Sequence, residues 1–460
     1  MRLPLRHLPL ALLSMALAIA EAQTPPPAAP LPKPSPAQLA WQQAELVAMF
    51  CLDPRSYHPR TGGENIQNVH LGEEKARAYA EAFNPDKLDT DQWIRSAKDM
   101  GATAAVLVAK HEVGFCLWQS DVNPYSLKML KWRDGKGDIM RDFVASCRKY
   151  GLKPGVFTTT RFDNRLGVHL SAPMKSATIT RAQYNRLVEA ETEELLSRYG
   201  ELFELWLDGS ARTPSQGGPD LIPIFERHQP ATAIFYHSDD RRDVRWGGTE
   251  SGTVGDPCWS TVKDRNKMNW GTGSPDGAFW CPAMADIPLR AANGRHDWFW
   301  WPAAEKGILP LNSLKNIYLN SVGRNATLVI GLTPDLSGLL PQPDADRCRE
   351  FGAWRQQTFG GAPLARTGGT GTTLTLDLPE AARKAGLFVV LAEDIREGER
   401  VREYVLEREV EGRWIECRKG TNIGHKRIVR VKPEGATRLR LTVSRSIAEP
   451  ILADFSVFAE

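Results

Sequence analysis

Apolar runs that lack polar alternation recur along the first three quarters of the chain, with amphipathic stretches between them. Val47–Leu52, Ala102–Ala109, Lys153–Thr159, Leu202–Leu207 and Ala231–Tyr236 read as strands covered on both faces. Thr90–Met100, Gly137–Tyr150, Thr180–Tyr199 and Leu221–His228 carry helical spacing between or beside them. Thr180 can cap its helix, Leu187, Val188, Leu195 and Leu196 fall on one face, and Gly200 ends it, as Gly151 ends the preceding one. Ala326–Leu332 adds a last strand and Asp344–Phe359 a closing helix. Strands of this kind alternating with helices indicate a parallel sheet sheathed by helices, and the length suits a barrel. The expectation is an α/β fold, a (β/α)8-like barrel over residues 37–360.

After Gly360 the period changes. Thr372–Leu378, Gly386–Ala392, Val401–Glu409, Arg413–Arg418, Lys426–Val431, Thr437–Ser444 and Ile451–Phe458 alternate polar and apolar residues between turns, with no helical stretch among them. This predicts a β-sandwich over residues 361–460. It lacks a row of exposed aromatics, which favours a brace on the barrel over a carbohydrate-binding module.

The N-terminus is different again. Arg2 and Arg6 precede the apolar Leu8–Ala20, and Ala20-Glu21-Ala22 fits a small-x-small cleavage site, so residues 1–22 read as a secretory signal and the protein as secreted or periplasmic. The apolar stretch is too short to favour a membrane span, and a retained N-terminal anchor is the competing reading. Residues 23–36 hold seven prolines and describe an extended tether. The formal charge of +3 falls by one when Arg2, Arg6 and Glu21 leave, and no basic block remains to hold nucleic acid. Seven cysteines stand without CxxC spacing, which argues against a thiolate metal site. An oxidising compartment would permit a pair such as Cys258 with Cys281, although isolated buried thiols are commoner. Asn325-Ala326-Thr327 is a formal glycosylation triplet.

Candidate chemistry lies where apolar segments end in acids. Phe203-Glu204-Leu205-Trp206-Leu207-Asp208-Gly209 puts Asp208 at a strand exit beside a glycine, and Arg245-Trp246-Gly247-Gly248-Thr249-Glu250 ends likewise in Glu250. The C-terminal strand ends of a β/α barrel form its active face, and two carboxylates on separate strand ends are what glycoside hydrolysis requires. Trp206 shares the parity of Asp208 and can support a sugar ring or fill the barrel. His111 and Glu112, just past Ala109, are candidates for hydroxyl contacts. Trp259, Trp270, Trp280, Trp298, Trp300 and Trp301 crowd a glycine-rich region that reads as long loops whose flat faces suit sugars. His237-Ser238-Asp239-Asp240 invites a metallohydrolase reading, but its companion ligands are absent; neither metal nor cofactor is expected.

These segments resemble glycoside hydrolase family 29, the retaining α-L-fucosidases. Leu205-Trp206-Leu207-Asp208-Gly209 is similar to the nucleophile motif of that family, and Arg245–Glu250 resembles the Arg-Trp-x-Gly-Asn-Glu segment that bears the acid/base in one subgroup, with Thr249 in the place of Asn. The likeness extends through Phe83-Asn84-Pro85, Lys110-His111, Gly114–Trp118, Gly137–Lys149 and Trp280–Arg290, and covers the chain from about residue 45 onward. It implies Asp208 as nucleophile, Glu250 as acid/base, Arg290 and Trp298 as further pocket residues, and a terminal α-L-fucose or related L-sugar of a glycan as substrate. Three positions depart from the family pattern: Cys51 stands where a histidine is usual, Glu112 replaces the second histidine of Lys-His-His, and Met284 replaces the glutamate of Pro-Ala-Glu. Altered sugar-reading residues leave open a catalytically silent glycan-binding homologue, against which both retained acids weigh.

Overall fold

The computed structural model describes residues 30–57, 69–237, 241–265 and 271–460. The expected signal segment, most of the tether, Trp270 and the side chains of the His237–Asp240 motif lie outside the described residues. Pro32–Glu460 form one compact unit.

Eight strands build the barrel, numbered here in chain order: β1 (Leu46–Phe50), β2 (Ala104–Lys110), β3 (Lys153–Thr159), β4 (Glu204–Ala211), β5 (Ala233–His237), β6 (Arg245–Trp246), β7 (Ala283–Pro288) and β8 (Ala326–Leu332). Their order in the sheet is β5-β4-β3-β2-β1-β8-β7-β6. A parallel bridge from Phe235 in β5 to Val244, just before β6, brings the two ends together. One parity of each strand, among it Val47, Met49, Val106, Val108, Trp206, Met284 and Val329, fills the interior. The other, including Leu46, Ala48, Leu107, Leu205, Leu207 and Ile330, packs beneath the helices. Both faces are dry, which is why the strands read as unbroken apolar runs.

The helices are α1 (Pro36–Ala44), α2 (Gly72–Ala82), α3 (Thr90–Met100), α4 (Ile139–Tyr150), α5 (Arg181–Arg198), α6 (Ile222–His228), α7 (Leu311–Ser321) and α8 (Gln342–Phe359). Side chains of Asp89, Asp138 and Thr180 accept amide hydrogen bonds at the starts of α3, α4 and α5, and left-handed glycines at Gly101 and Gly151 end α3 and α4. Two corrections concern the barrel wall. The tryptophan-rich region is not loop throughout, because β7 runs through it, and β6 is a strand of two residues.

The C-terminal region forms two four-stranded antiparallel sheets. With β9 (Ala365–Thr370), β10 (Thr373–Asp377), β11 (Leu387–Glu393), β12 (Val401–Val410), β13 (Arg413–Gly420), β14 (Arg427–Val431), β15 (Arg438–Ser446) and β16 (Ile451–Ala459), their orders are β9-β16-β11-β14 and β10-β15-β12-β13. The strand absent from the sequence expectation is β9, whose Gly368-Gly369 imitates a turn and coincides with a register shift against β16. The sheets grip the barrel through buried polar contacts. Glu399 accepts the Ser260 amide at 3.0 Å and the Asn325 amide group at 2.5 Å, Asn422 donates to the Cys258 carbonyl at 2.6 Å, and Arg427 pairs with Asp256 at 3.0 Å. Asn325, the glycosylation candidate, is 2 % exposed and committed to this seam. Cys258 and Cys281 are both buried free thiols, so the permitted pair is not formed.

Candidate active site

The strand exits are not regular, and their irregularities aim the functional side chains. Between β2 and β3 the register slips from Val108 to Lys110, so one extra residue enters β2. The bulge turns Lys110 outward, where its ammonium meets Glu191 of α5 at 2.9 Å and Asp163 at 3.4 Å. His111 then faces the barrel mouth, stacked on Phe157 with ring centroids 5.6 Å apart and edge-on to Phe299 at 5.0 Å. The turn that follows requires Gly114: its φ is +88°, and a Cβ there would stand 2.6 Å from an Asp163 oxygen.

A second bulge sits in β4, where the pairing with β5 slips between Trp206 and Ala211. Asp208 lies inside it, next to Gly209 at φ +68°, a conformation that suits glycine. The carboxyl of Asp208 is half-buried and pushed up to about 7, first by burial, then by the charges of Glu112 and Glu250, against the pull of Arg161. Burial also raises Glu112, which is 6 % exposed, and the charge of Arg55 opposes that rise. Asp286 of β7, 4 % exposed, is pushed up to about 8, chiefly by burial and further by Glu250 and Asp208, while the Trp246 hydrogen bond opposes the rise. These carboxyls therefore share one electrostatic site, and three of them hold protons more tightly than ordinary acids.

Glu250 stands at the rim. Its Oε2 lies 2.7 Å from His296 Nε2, and both side chains are substantially exposed. Arg55 follows β1. Its guanidinium lies 4.2 Å from the Phe299 ring centre, 3.3 Å from Asp53 Oδ1, 3.8 Å from Glu112 Oε2 and 2.5 Å from His111 Nδ1. Arginine can only donate, so Nδ1 of His111 accepts and the hydrogen resides on Nε2. Burial, then the Arg55 charge, pushes His111 well down and keeps it neutral. The wall thus offers a sugar an N–H donor at His111 beside a carboxyl acceptor at Glu112.

Of the residues marked from sequence, Asp208, Glu250, His111 and Glu112 come together in this way. Trp298 is half-buried near them, its ring over Gly331 of β8, and its indole N–H is buried without a partner among the described residues. Two assignments change. Trp206 shares the inward parity of Asp208 but is 4 % exposed and wedged between Phe157 and Phe235, so it is packed floor rather than an open platform. Arg290 is 1 % exposed and holds Asp344 of α8 at 2.9 and 2.6 Å, bracing β7 against that helix. Trp259 and Trp280, expected among sugar-facing aromatics, are likewise buried at 4 % and 2 %. Arg55, Asp53, Asp286, Phe299 and His296 were not legible as site residues. For Arg55 and Asp53 the signal was present, since both directly follow the first strand at the face where functional residues gather.

Comparison with known proteins places the chain in a family. Residues 55–358 match the family model described as α-L-fucosidase. Among curated proteins the chain is 28% identical to α-L-fucosidase 1 of Arabidopsis thaliana, over 92% of this chain and 87% of that protein. A crystal structure from Bacteroides thetaiotaomicron, described as a candidate α-L-fucosidase, superposes with a TM-score of 0.87 at 46% identity and covers 94% of this chain and 100% of the other. A glycoside hydrolase 29 family member from an unknown rumen bacterium gives 0.78 at 28% identity, covering 93% and 77%.

Proposed function

Because the chain belongs to the α-L-fucosidase family of glycoside hydrolases, we propose that it is a secreted, retaining exo-α-L-glycosidase that removes a terminal α-L-fucose or related L-sugar from a glycan. What carries this reading is the placement of two acids at strand exits of one barrel mouth, Asp208 in the β4 bulge and Glu250 at the rim in the segment after β6.

In this mechanism ionised Asp208 attacks the anomeric carbon while protonated Glu250 gives its proton to the departing oxygen. The C–O bond to the leaving group breaks as the glycosyl-aspartate ester forms. Esterification discharges Asp208, so Glu250, now ionised, no longer faces that neighbouring charge. Glu250 then takes a proton from water, the hydroxide equivalent attacks the anomeric carbon, and Asp208 is released. In this reading His111 donates from Nε2 to one sugar hydroxyl and Glu112 accepts from another.

The test is a screen of aryl α-L-fucoside, α-L-galactoside, α-L-glucoside and related substrates, followed by natural oligosaccharides, with NMR of the first-formed sugar. Release of the α anomer before mutarotation is expected. Initial release of the β anomer would overturn retention, and hydrolysis of no α-L-glycoside would overturn the activity.

A further inference from the structure

Asp286 has the inward parity of β7, two residues above Met284, whose side chain fills the barrel interior. It is tied twice to the segment that carries Glu250. Its Oδ1 accepts the indole N–H of Trp246 at 2.7 Å, and its backbone carbonyl accepts the amide of Gly252 at 2.9 Å. One step earlier on the same parity, the carbonyl of Met284 accepts the amide of Gly247 at 2.7 Å. The loop from Gly247 to Gly252 is therefore strapped to β7 at both ends, with Glu250 between the straps. Both glycines are required: Gly252 has φ +70°, and a Cβ on Gly247 would stand 2.7 Å from the Met284 carbonyl. The Trp246–Asp286 bond is the side-chain part of this strap. Nothing in the proposed chemistry uses the Asp286 carboxyl, yet it is buried beside two other acids, an arrangement that costs stability.

Resting on the reading of Glu250 as acid/base, we propose that Asp286 is the positioning residue of that acid, holding its loop through Trp246 so that the Glu250 carboxyl meets the leaving oxygen. The raised proton affinity of Asp286 suits the role, because a neutral carboxyl still accepts the indole hydrogen bond and adds no charge next to Glu250.

The test compares aryl α-L-fucosides bearing 2,4-dinitrophenol and phenol, or the same pair on whichever sugar the wild type cleaves best. Asp286→Ala should lower kcat on the phenyl glycoside by about 10²-fold and on the dinitrophenyl glycoside by about 5-fold or less, with KM little changed, since a good leaving group needs no proton. Asp286→Asn keeps an acceptor for the indole and should restore the phenyl rate to within about 5-fold of wild type. Trp246→Phe removes the same bond from its other end and should reproduce the selectivity of the alanine variant even if that variant fails to fold. Equal losses on both leaving groups, or no loss, would overturn the inference. Glu250→Ala is the control. If it too lacks leaving-group selectivity, the acid/base reading fails and this inference falls with it; selectivity in Glu250→Ala without any in the Asp286 and Trp246 variants overturns the inference alone.

Discussion

His296 Nε2 stands 2.7 Å from Glu250 Oε2, joining the segment after β7 to the segment after β6 at the rim of the barrel. Asp208 occupies a different environment, half-buried in the β4 bulge among Glu112 and Asp286. One carboxyl is exposed and reachable by a departing group; the other is half-buried and crowded by acids. The two acids perform different tasks in the same step, and Asp208, pushed up to about 7 by burial and its acidic neighbours, must first lose its proton to attack.

Glu250→Ala should therefore lose phenyl and natural glycosides by about 10²–10⁴-fold while activated aryl glycosides lose far less. Azide should restore part of the turnover on the activated substrate by attacking the glycosyl-enzyme in place of activated water, giving a glycosyl azide of retained configuration. Equal losses on all substrates with no azide product would exclude the acid/base role.

The barrel was legible because its strands are dry on both faces, and the sandwich because its strands are not. Segments that broke either rule escaped. β7 carries Asp286 in its middle and Pro288 at its end, β9 carries two glycines, and α2 buries only Ala76, Tyr79 and Ala80 along a charged sequence. The candidate acids Asp208 and Glu250 were legible from the glycines around them. Arg290 misled because its motif does not record that the side chain turns to Asp344 of α8, and Trp206 took the second of the two roles its parity allows, filling the barrel. Asp286 and His296 gain their meaning from partners on other strand exits, which no local pattern records.

The pH profile should report Asp208. The acid must be ionised to attack, and burial followed by the charges of Glu112 and Glu250 pushes it up to about 7. The acid limb of kcat/KM should accordingly bend near pH ~7, where an unperturbed aspartate would bend near ~4. Glu112→Gln removes one of the raising charges and should move that limb toward acid by about 0.5–1 pH unit. A limb that stays in place would show that Glu112 does not act on the titrating group.

The same raised proton affinity predicts a stability effect. Between the ordinary aspartate value and about 7, folded Asp208 keeps a proton that the unfolded chain has lost. Its contribution to stability is thus complete at low pH and is lost as pH rises through that window. Asp208→Asn has no charge to bury, so it should melt about 1–3 °C above wild type at pH 8 and level with it near pH 4. Activity should fall by at least about 10³-fold. A variant that melts below wild type at pH 8 would contradict the burial argument, and one that keeps most activity on every substrate would remove Asp208 from the mechanism.

Sugar choice should turn on Arg55. Of the three positions that depart from the family pattern, Cys51 and Met284 are 2 % and 0 % exposed within the barrel interior, which leaves Glu112 as the one at the wall. Glu112 acts with His111, whose tautomer is fixed by Arg55 at 2.5 Å. Arg55→Ala frees both ring nitrogens and removes the cation beside Glu112, so kcat/KM should fall by about 10–10²-fold, mainly through KM. The donor–acceptor pair differs from the two histidines usual in the family, so a related or decorated L-sugar should be a better substrate than plain fucose. In the screen, an unsubstituted aryl α-L-fucoside that outperforms every alternative, with kcat/KM of about 10⁴ M⁻¹s⁻¹ or more, would refute this and make the Arg55–His111–Glu112 wall a second way of reading fucose.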